Sequence, residues 1–195
     1  MTNNFFSRKI ARFFPFQLTE EQLSALTILS DFLLSHEDRS VLLLKGYAGT
    51  GKTSLIGATV KALNELQQKT VLMAPTGRAA KVFSQYAGQV AFTIHKKIYR
   101  KKTFSNEPEG FSLADNLHKN TLFFVDEASM ISNEATGSLA FGSNGLLDDL
   151  VRYVYTGEHC RLILMGDAAQ LPPVLQIESP ALSIDYLQGY QLQVH

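Results

Sequence analysis

The chain has a single cysteine, Cys160, and therefore no internal disulfide. That usage suits a reducing compartment. At 195 residues the chain is long enough to bury a core that needs no covalent or metal staple. Cys160 opens the apolar run CRLILMG and reads as an ordinary core residue. An excess of charge of one sign is also missing. Eighteen Lys and Arg face 18 Asp and Glu, so attraction to nucleic acid has to come from local patches. No apolar run approaches the roughly 20 residues that would cross a bilayer. Residues 1–18, MTNNFFSRKIARFFPFQL, contain no acid. This N-terminal segment resembles a weak mitochondrial presequence. Phe6, Ile10, Phe13 and Phe14 stand at near-helical spacing, however, and fit a segment packed on the domain of a cytoplasmic protein. Repeats and low-complexity tracts are absent.

What is present is an alternation of helical and strand patterns. Thr19-Glu20-Glu21-Gln22 has the form of a capping box, and Leu23, Leu26 and Leu33 continue it as an amphipathic helix over 20–35. Uniformly apolar runs predict buried strands at 41–45, 70–75, 121–127 and 161–167. Helices are expected at 52–67, 77–87 and 146–155. Strands of this kind between helices argue for an α/β fold, a parallel sheet covered on both faces. The polar stretch 96–120, which holds Pro108 and Gly110, reads as an excursion from that layer, shaped as a small hairpin.

GYAGTGKT, residues 46–53, matches G-x-x-x-x-G-K-[ST] between an expected strand and an expected helix. Gly46, Gly49 and Gly51 let backbone N–H groups turn inward around a polyphosphate, and the start of the helix adds its positive end. Lys52 reaches the β- and γ-phosphates and the Thr53 hydroxyl can hold Mg²⁺. Thr50 and Ser54 complete the candidate ATP-binding set. The plain alternative is a strand-to-helix turn. Asp126, at the carboxyl end of its strand in FFVDEASM, can hold the same Mg²⁺ through water, and Glu127 can polarise an attacking water. The plain alternative here is a pair of acids capping the next helix.

GDAAQLPPV, residues 166–174, adds a tight turn, Gln170, and a rigid Pro172-Pro173 step. In the order GYAGTGKT, APTGRAAKVF, TIH, VDEASM and GDAAQLPPV, the chain resembles motifs I, Ia, Ic, II and III of the superfamily 1B DNA helicases, the RecD-like branch. The likeness runs over residues 16–185. It implies the N-terminal RecA-like domain (1A) of such a motor: a P-loop NTPase with a RecA-like sheet over 19–195. Gln22 matches the family's adenine-reading glutamine, although the capping box explains it as well. Gln170 matches the glutamine that couples the γ-phosphate to DNA contacts, a catalytic role beside Lys52, Asp126 and Glu127. Pro75, Thr76 and Arg78 match motif Ia, which touches a single-strand backbone, and Thr93 and His95 match the T-x-H contact with DNA.

The excursion stands where related proteins carry a 1B strand-separating pin. Lys96, Lys97, Arg100, Lys101 and Lys102, with Tyr99 and Phe104 interleaved, would suit backbone attraction and base stacking, or simply a solvated face. Motifs IV, V and VI of a second RecA-like domain are not found, and the chain stops at LQVH. The resemblance therefore implies the N-terminal half of a longer 5′-to-3′ helicase. Alone it would bind Mg-ATP, turn it over slowly and fail to unwind DNA. Arg78, Arg152 and Arg161 do not match the arginines that the second domain supplies. Single-stranded DNA is the expected partner, with RNA left open because backbone contacts read little of the sugar. Two other readings stand beside this one. A standalone nucleotide-gated binding module is the first; the second, a small-molecule kinase, fits GDAAQLPPV poorly.

Overall fold

Thr19 begins the fold as expected. Its hydroxyl accepts from the Gln22 amide, and the Gln22 side chain accepts from the Thr19 amide in return. A reciprocal cap of this kind satisfies two otherwise orphaned donors. The computed structural model describes residues 2–35, 37–101, 111–132, 145–167, 169–170 and 179–195, with side chains from residue 5 onward. In chain order these form α1 (Thr2–Ala11), α2 (Glu20–Leu34), β1 (Ser40–Lys45), α3 (Lys52–Glu65), β2 (Lys69–Ala74), α4 (Gly77–Ala87), β3 (Ala91–Thr93) and α5 (Ile94–Ile98). There follow β4 (Tyr99–Lys101), β5 (Phe111–Leu113), β6 (Thr121–Val125), α6 (Leu146–Thr156), β7 (Arg161–Gly166), α7 (Ile184–Gln188) and β8 (Gln193–Val194). Short 3-10 turns occupy Ala128–Met130 and Pro180–Leu182.

Six strands form one sheet in the order β3-β2-β6-β7-β1-β8, and every neighbouring pair is parallel. Successive residues of each strand face opposite sides, so the apolar runs feed two cores. Val41, Phe123 and Leu162 pack with α5, α6 and α7 on one side. Leu42, Phe124 and Ile163 pack with α1 to α4 on the other. This is the parallel α/β architecture that the sequence pattern predicts, and it agrees with the RecA-like sheet that the resemblance implies. Among the described residues no helix is long and apolar enough to cross a membrane.

Two element ends fall two residues short of expectation, and two short elements were not expected at all. The strand predicted over 121–127 ends at Val125, because Glu127 takes a left-handed backbone (φ 54, ψ 37) that no ladder accommodates. The helix predicted over 52–67 ends at Glu65, where Gln67 also turns left-handed. The short β3 and α5 lie in a stretch whose three-residue strand is too brief for a periodicity argument.

The excursion is partly described: β4 and β5 pair antiparallel, Tyr99 opposite Leu113, while 102–110, with Lys102 and Phe104, lies outside the described residues. Lys96 and Lys97 belong to α5 rather than to the paired strands. Tyr99 departs from its expected place among base-stacking aromatics. It is buried, and its hydroxyl donates to Asp149 Oδ2 at 2.7 Å. A phenol finding a carboxylate partner inside the core cannot also offer its face to a base.

The N-terminal segment packs on the domain. α1 lies against both α2 and α3, Ser7 and Ser30 share a hydrogen bond of 3.0 Å, and Lys9 pairs with Glu65 at 2.7 Å. Ile10 and Phe14 are buried in the same core as Leu55 and Ile56 of α3. A side chain at Gly51 would come within 4.0 Å of the Phe14 ring, so Phe14 lies beneath the Gly-rich loop. Phe14→Ala should therefore cost about 3 kcal/mol of stability and also weaken nucleotide binding. Thermal melting with and without an ATP analogue checks this. Lowered stability with unchanged nucleotide affinity would show that Phe14 serves the core alone.

Candidate functional site

Because the sheet is wholly parallel, the carboxyl ends of all its strands open on one edge, where α/β folds place ligands. That edge carries the described residues of the motifs singled out above. The loop at 46–51 follows β1, Asp167 and Gln170 follow β7, Asp126 and Glu127 follow β6, Pro75 and Thr76 follow β2, and Thr93 ends β3.

The loop after β1 is tied down at both ends. The Gly46 amide donates to Gly166 O of β7 at 3.2 Å, and the Leu55 amide to Gly51 O at 2.8 Å. Gly49 and Gly51 have φ of 81 and 85, a backbone that other residues adopt only with strain. Thr50 turns its hydroxyl onto Tyr47 O at 2.8 Å. Lys52 Nζ folds over the loop and donates to Gly46 O at 2.6 Å and Tyr47 O at 2.8 Å. An ammonium held by two carbonyls at the mouth of a Gly-rich loop is charge already placed for an anion. Ser54 stands half-buried in the first turn of α3.

Thr53 and Asp126 meet directly, the hydroxyl donating to Oδ2 at 2.9 Å, although β7 separates their strands. Asp126 is buried, 6 % exposed, and its other oxygen accepts from the Glu127 amide at 2.9 Å. Burial pushes the Asp126 carboxyl above its usual range, while Thr53, the Glu127 amide and the Lys52 charge pull it back. A buried carboxylate beside a hydroxyl is a hard oxygen pair of the type that Mg²⁺ accepts. Glu127, half-buried, holds the left-handed backbone noted above. Such strain in a non-glycine residue persists where the surroundings impose it, often at functional sites.

Gln22 performs the capping task expected of it in full. While its carbonyl caps α2, its Nε2 donates to Thr50 O at 2.9 Å, so the start of α2 is latched to the loop. Between them lies a cleft of about 490 Å³ lined by Thr19, Gln22, Ala25, Leu44, Tyr47 and Lys52 among others. A cleft of the same size lies at the amino ends of the strands, lined by Ser35, Gln68, Asn120, His159 and Arg161, and carries none of the motifs. Arg161 is engaged there, donating to Phe32 O at 2.5 Å and Ser35 O at 2.6 Å, where it caps α2.

Gln170 is exposed after β7, and its Oε1 accepts from the Ser129 hydroxyl at 2.8 Å. Pro172 and Pro173 lie outside the described residues. On the far side of the edge, Thr76 and Thr93 are the N-caps of α4 and α5, each hydroxyl accepting from an amide three residues on. Ala74 and Thr93 are paired across β2 and β3, so these two caps lie side by side. Pro75 is half-buried, and Arg78 and His95 are exposed beside them. Partial desolvation of its ring holds His95 below the ordinary imidazole range. With strands about 4.8 Å apart, this group stands three to four strands, roughly 15–20 Å, from the Gly-rich loop. Two contributors escaped the sequence argument. Phe14 lies outside every motif; Ser129 stands inside VDEASM, and only its position two residues after the acidic pair could have marked it.

A Gly-rich loop joined through a threonine to a carboxylate two strands away makes this a P-loop NTPase domain with a RecA-like sheet. The chain belongs to the AAA domain family, whose model matches residues 17–179. It is 32% identical over 161 residues to the ATP-dependent RecD2 DNA helicase of Deinococcus radiodurans, covering 80% of this chain and 18% of that protein. It is also 32% identical over 125 residues to the multifunctional conjugation protein TraI of Escherichia coli, covering 61% and 7%. An uncharacterized protein of Acanthamoeba polyphaga mimivirus is 31% identical over 185 residues, covering 83% and 34%. The chain thus spans about a third or less of the length of these relatives. Its motif series is that of the N-terminal RecA-like domain of the RecD-like, superfamily 1B type, and the site it builds is one for ATP.

Proposed function

We propose that this domain hydrolyses ATP and couples the hydrolysis to movement along single-stranded DNA, as the first of two RecA-like halves of a 5′-to-3′ helicase. The observation that carries the reading is the Thr53–Asp126 hydrogen bond. It brings the end of the Gly-rich loop and the acidic pair to one point, with Lys52 and Gln170 on the same sheet edge. Thr53 and Asp126 would hold Mg²⁺, which when bound neutralises charge on the β- and γ-phosphates. Lys52 exchanges the carbonyls of Gly46 and Tyr47 for phosphate oxygens, and the loop amides line the polyphosphate. Glu127 takes a proton from the attacking water. Gln170 contacts the transferring group and relays its presence along the edge.

On the far side of that edge, the caps Thr76 and Thr93 keep their hydroxyl protons to donate to phosphate oxygens, and Arg78 adds charge. His95 contributes a further donor. The exposed Arg100 and Lys101 of β4 extend the basic surface towards the excursion, the strand-separating pin of this reading. Pro75 sets the entry to α4. A second RecA-like domain supplies the arginines that complete the ATP site, a contribution worth ~10³–10⁵ in rate. The domain alone accordingly turns ATP over slowly.

Fluorescence anisotropy of a labelled oligo-dT, with and without a non-hydrolysable Mg-ATP analogue, tests this. Affinity should shift several-fold with nucleotide, and Thr76→Ala with His95→Ala should weaken DNA binding about tenfold or more. A protein that holds the analogue yet binds oligo-dT identically with and without it would overturn the coupling. The same titration with oligo-U compares RNA.

A further inference from the structure

Ser129 is buried, 1% exposed, in the 3-10 turn that directly follows Asp126 and Glu127. Its hydroxyl donates to Gln170 Oε1 at 2.8 Å across 41 residues of sequence, and so joins the acidic turn after β6 to the loop after β7. The approach depends on Gly166. A Cβ there would stand 3.0 Å from the Ser129 amide nitrogen and 2.8 Å from Leu182 Cδ1, so a larger residue would push the turn off the end of β7. The two loops flanking the catalytic carboxylates are therefore pinned together by one side-chain hydrogen bond over a glycine.

We infer that Ser129 is a positioning residue for hydrolysis, fixing which end of the Gln170 amide faces the nucleotide. A side-chain amide has one accepting and one donating end, and phosphate oxygens only accept. With Oε1 bound to the Ser129 hydroxyl, Nε2 is the end turned away and available to donate. The same hydrogen bond makes any shift of the Glu127 turn a shift of Gln170. Water activation and phosphate sensing then move as one unit. The inference rests on the reading of Gln170 as the residue that contacts the transferring phosphoryl group.

Ser129→Ala, Gln170→Ala and the double variant test it through ATP turnover, with affinity for a non-hydrolysable analogue and thermal melting measured alongside. Ser129→Ala should lower kcat about tenfold, with analogue affinity within about twofold and the fold intact. The double variant should be no slower than Gln170→Ala, because the serine acts only through the glutamine. Suppose Gln170→Ala is slow but Ser129→Ala runs at the wild-type rate, or slows the Gln170→Ala background by its full factor. The inference then fails while the reading of Gln170 stands. Gln170→Ala at the wild-type rate removes that reading and the inference with it.

Discussion

Glu127→Gln should lower the ATP turnover of this domain by about 10²–10⁴-fold, with affinity for a non-hydrolysable analogue within about twofold of wild type. The substitution keeps the side chain's shape and removes only its capacity to take a proton. The contacts that set the turn belong to the backbone: the Glu127 amide donates to Asp126 Oδ1 at 2.9 Å, and its carbonyl accepts from the Met130 amide at 3.0 Å. Neither depends on the carboxylate. The left-handed backbone, which costs on the order of 1 kcal/mol for a residue with a Cβ, is as strained with glutamine as with glutamate, so stability should not change. Single-turnover hydrolysis with protein in excess of ATP resolves the effect even at a slow basal rate. A Glu127→Gln domain that hydrolyses at the wild-type rate would assign proton removal to another group.

Asp126→Asn should abolish measurable turnover while making the nucleotide-free domain more stable. Burial holds the Asp126 carboxyl above its usual range, so the folded state carries this charge less easily than the unfolded chain does. A raised carboxylate pKa means the cost is present above the folded-state pKa and is relieved as pH falls through it. Asparagine can keep both contacts, accepting from the Glu127 amide and donating to the Thr53 oxygen. The gain should be about 1 kcal/mol, or ~2–4 °C in melting temperature, at pH 7–8, and should vanish in acid, where wild-type Asp126 is itself protonated. Melting curves of both proteins from pH 4 to 8 check the sign. A variant less stable than wild type at pH 8 would mean that the attractions of Thr53 and Lys52 outweigh the burial cost.

Much of the fold was legible because the information is local. The apolar runs VLLLK, TLFFV and RLILMG, each short and set between helical patterns, read as buried strands, and each lies within two residues of its expected place. The capping box at Thr19 and the glycines at 49 and 51 likewise express conformational preferences of a few adjacent residues. The burial of Tyr99 is not legible, for the converse reason. Its neighbours in sequence are lysines and arginines, and nothing local announces that Asp149, 50 residues on, will bury its hydroxyl.

By itself the sequence determined an α/β domain of parallel strands with a phosphate loop, and the identities of the groups able to work there. Tertiary structure alone decided which of those groups meet. The order β3-β2-β6-β7-β1-β8 inserts β7 between the loop and the acidic strand, which brings Thr53 to Asp126 across 73 residues and Gln170 to Ser129 across 41. It also decided which elements the N-terminal segment, outside the span of the family match, packs on: α1 lies against α2 and α3. Periodicity and motif spacing report what a segment becomes, because they express energies between near neighbours. Pairing between distant segments depends on how two cores close over one sheet, a property of the whole chain's packing.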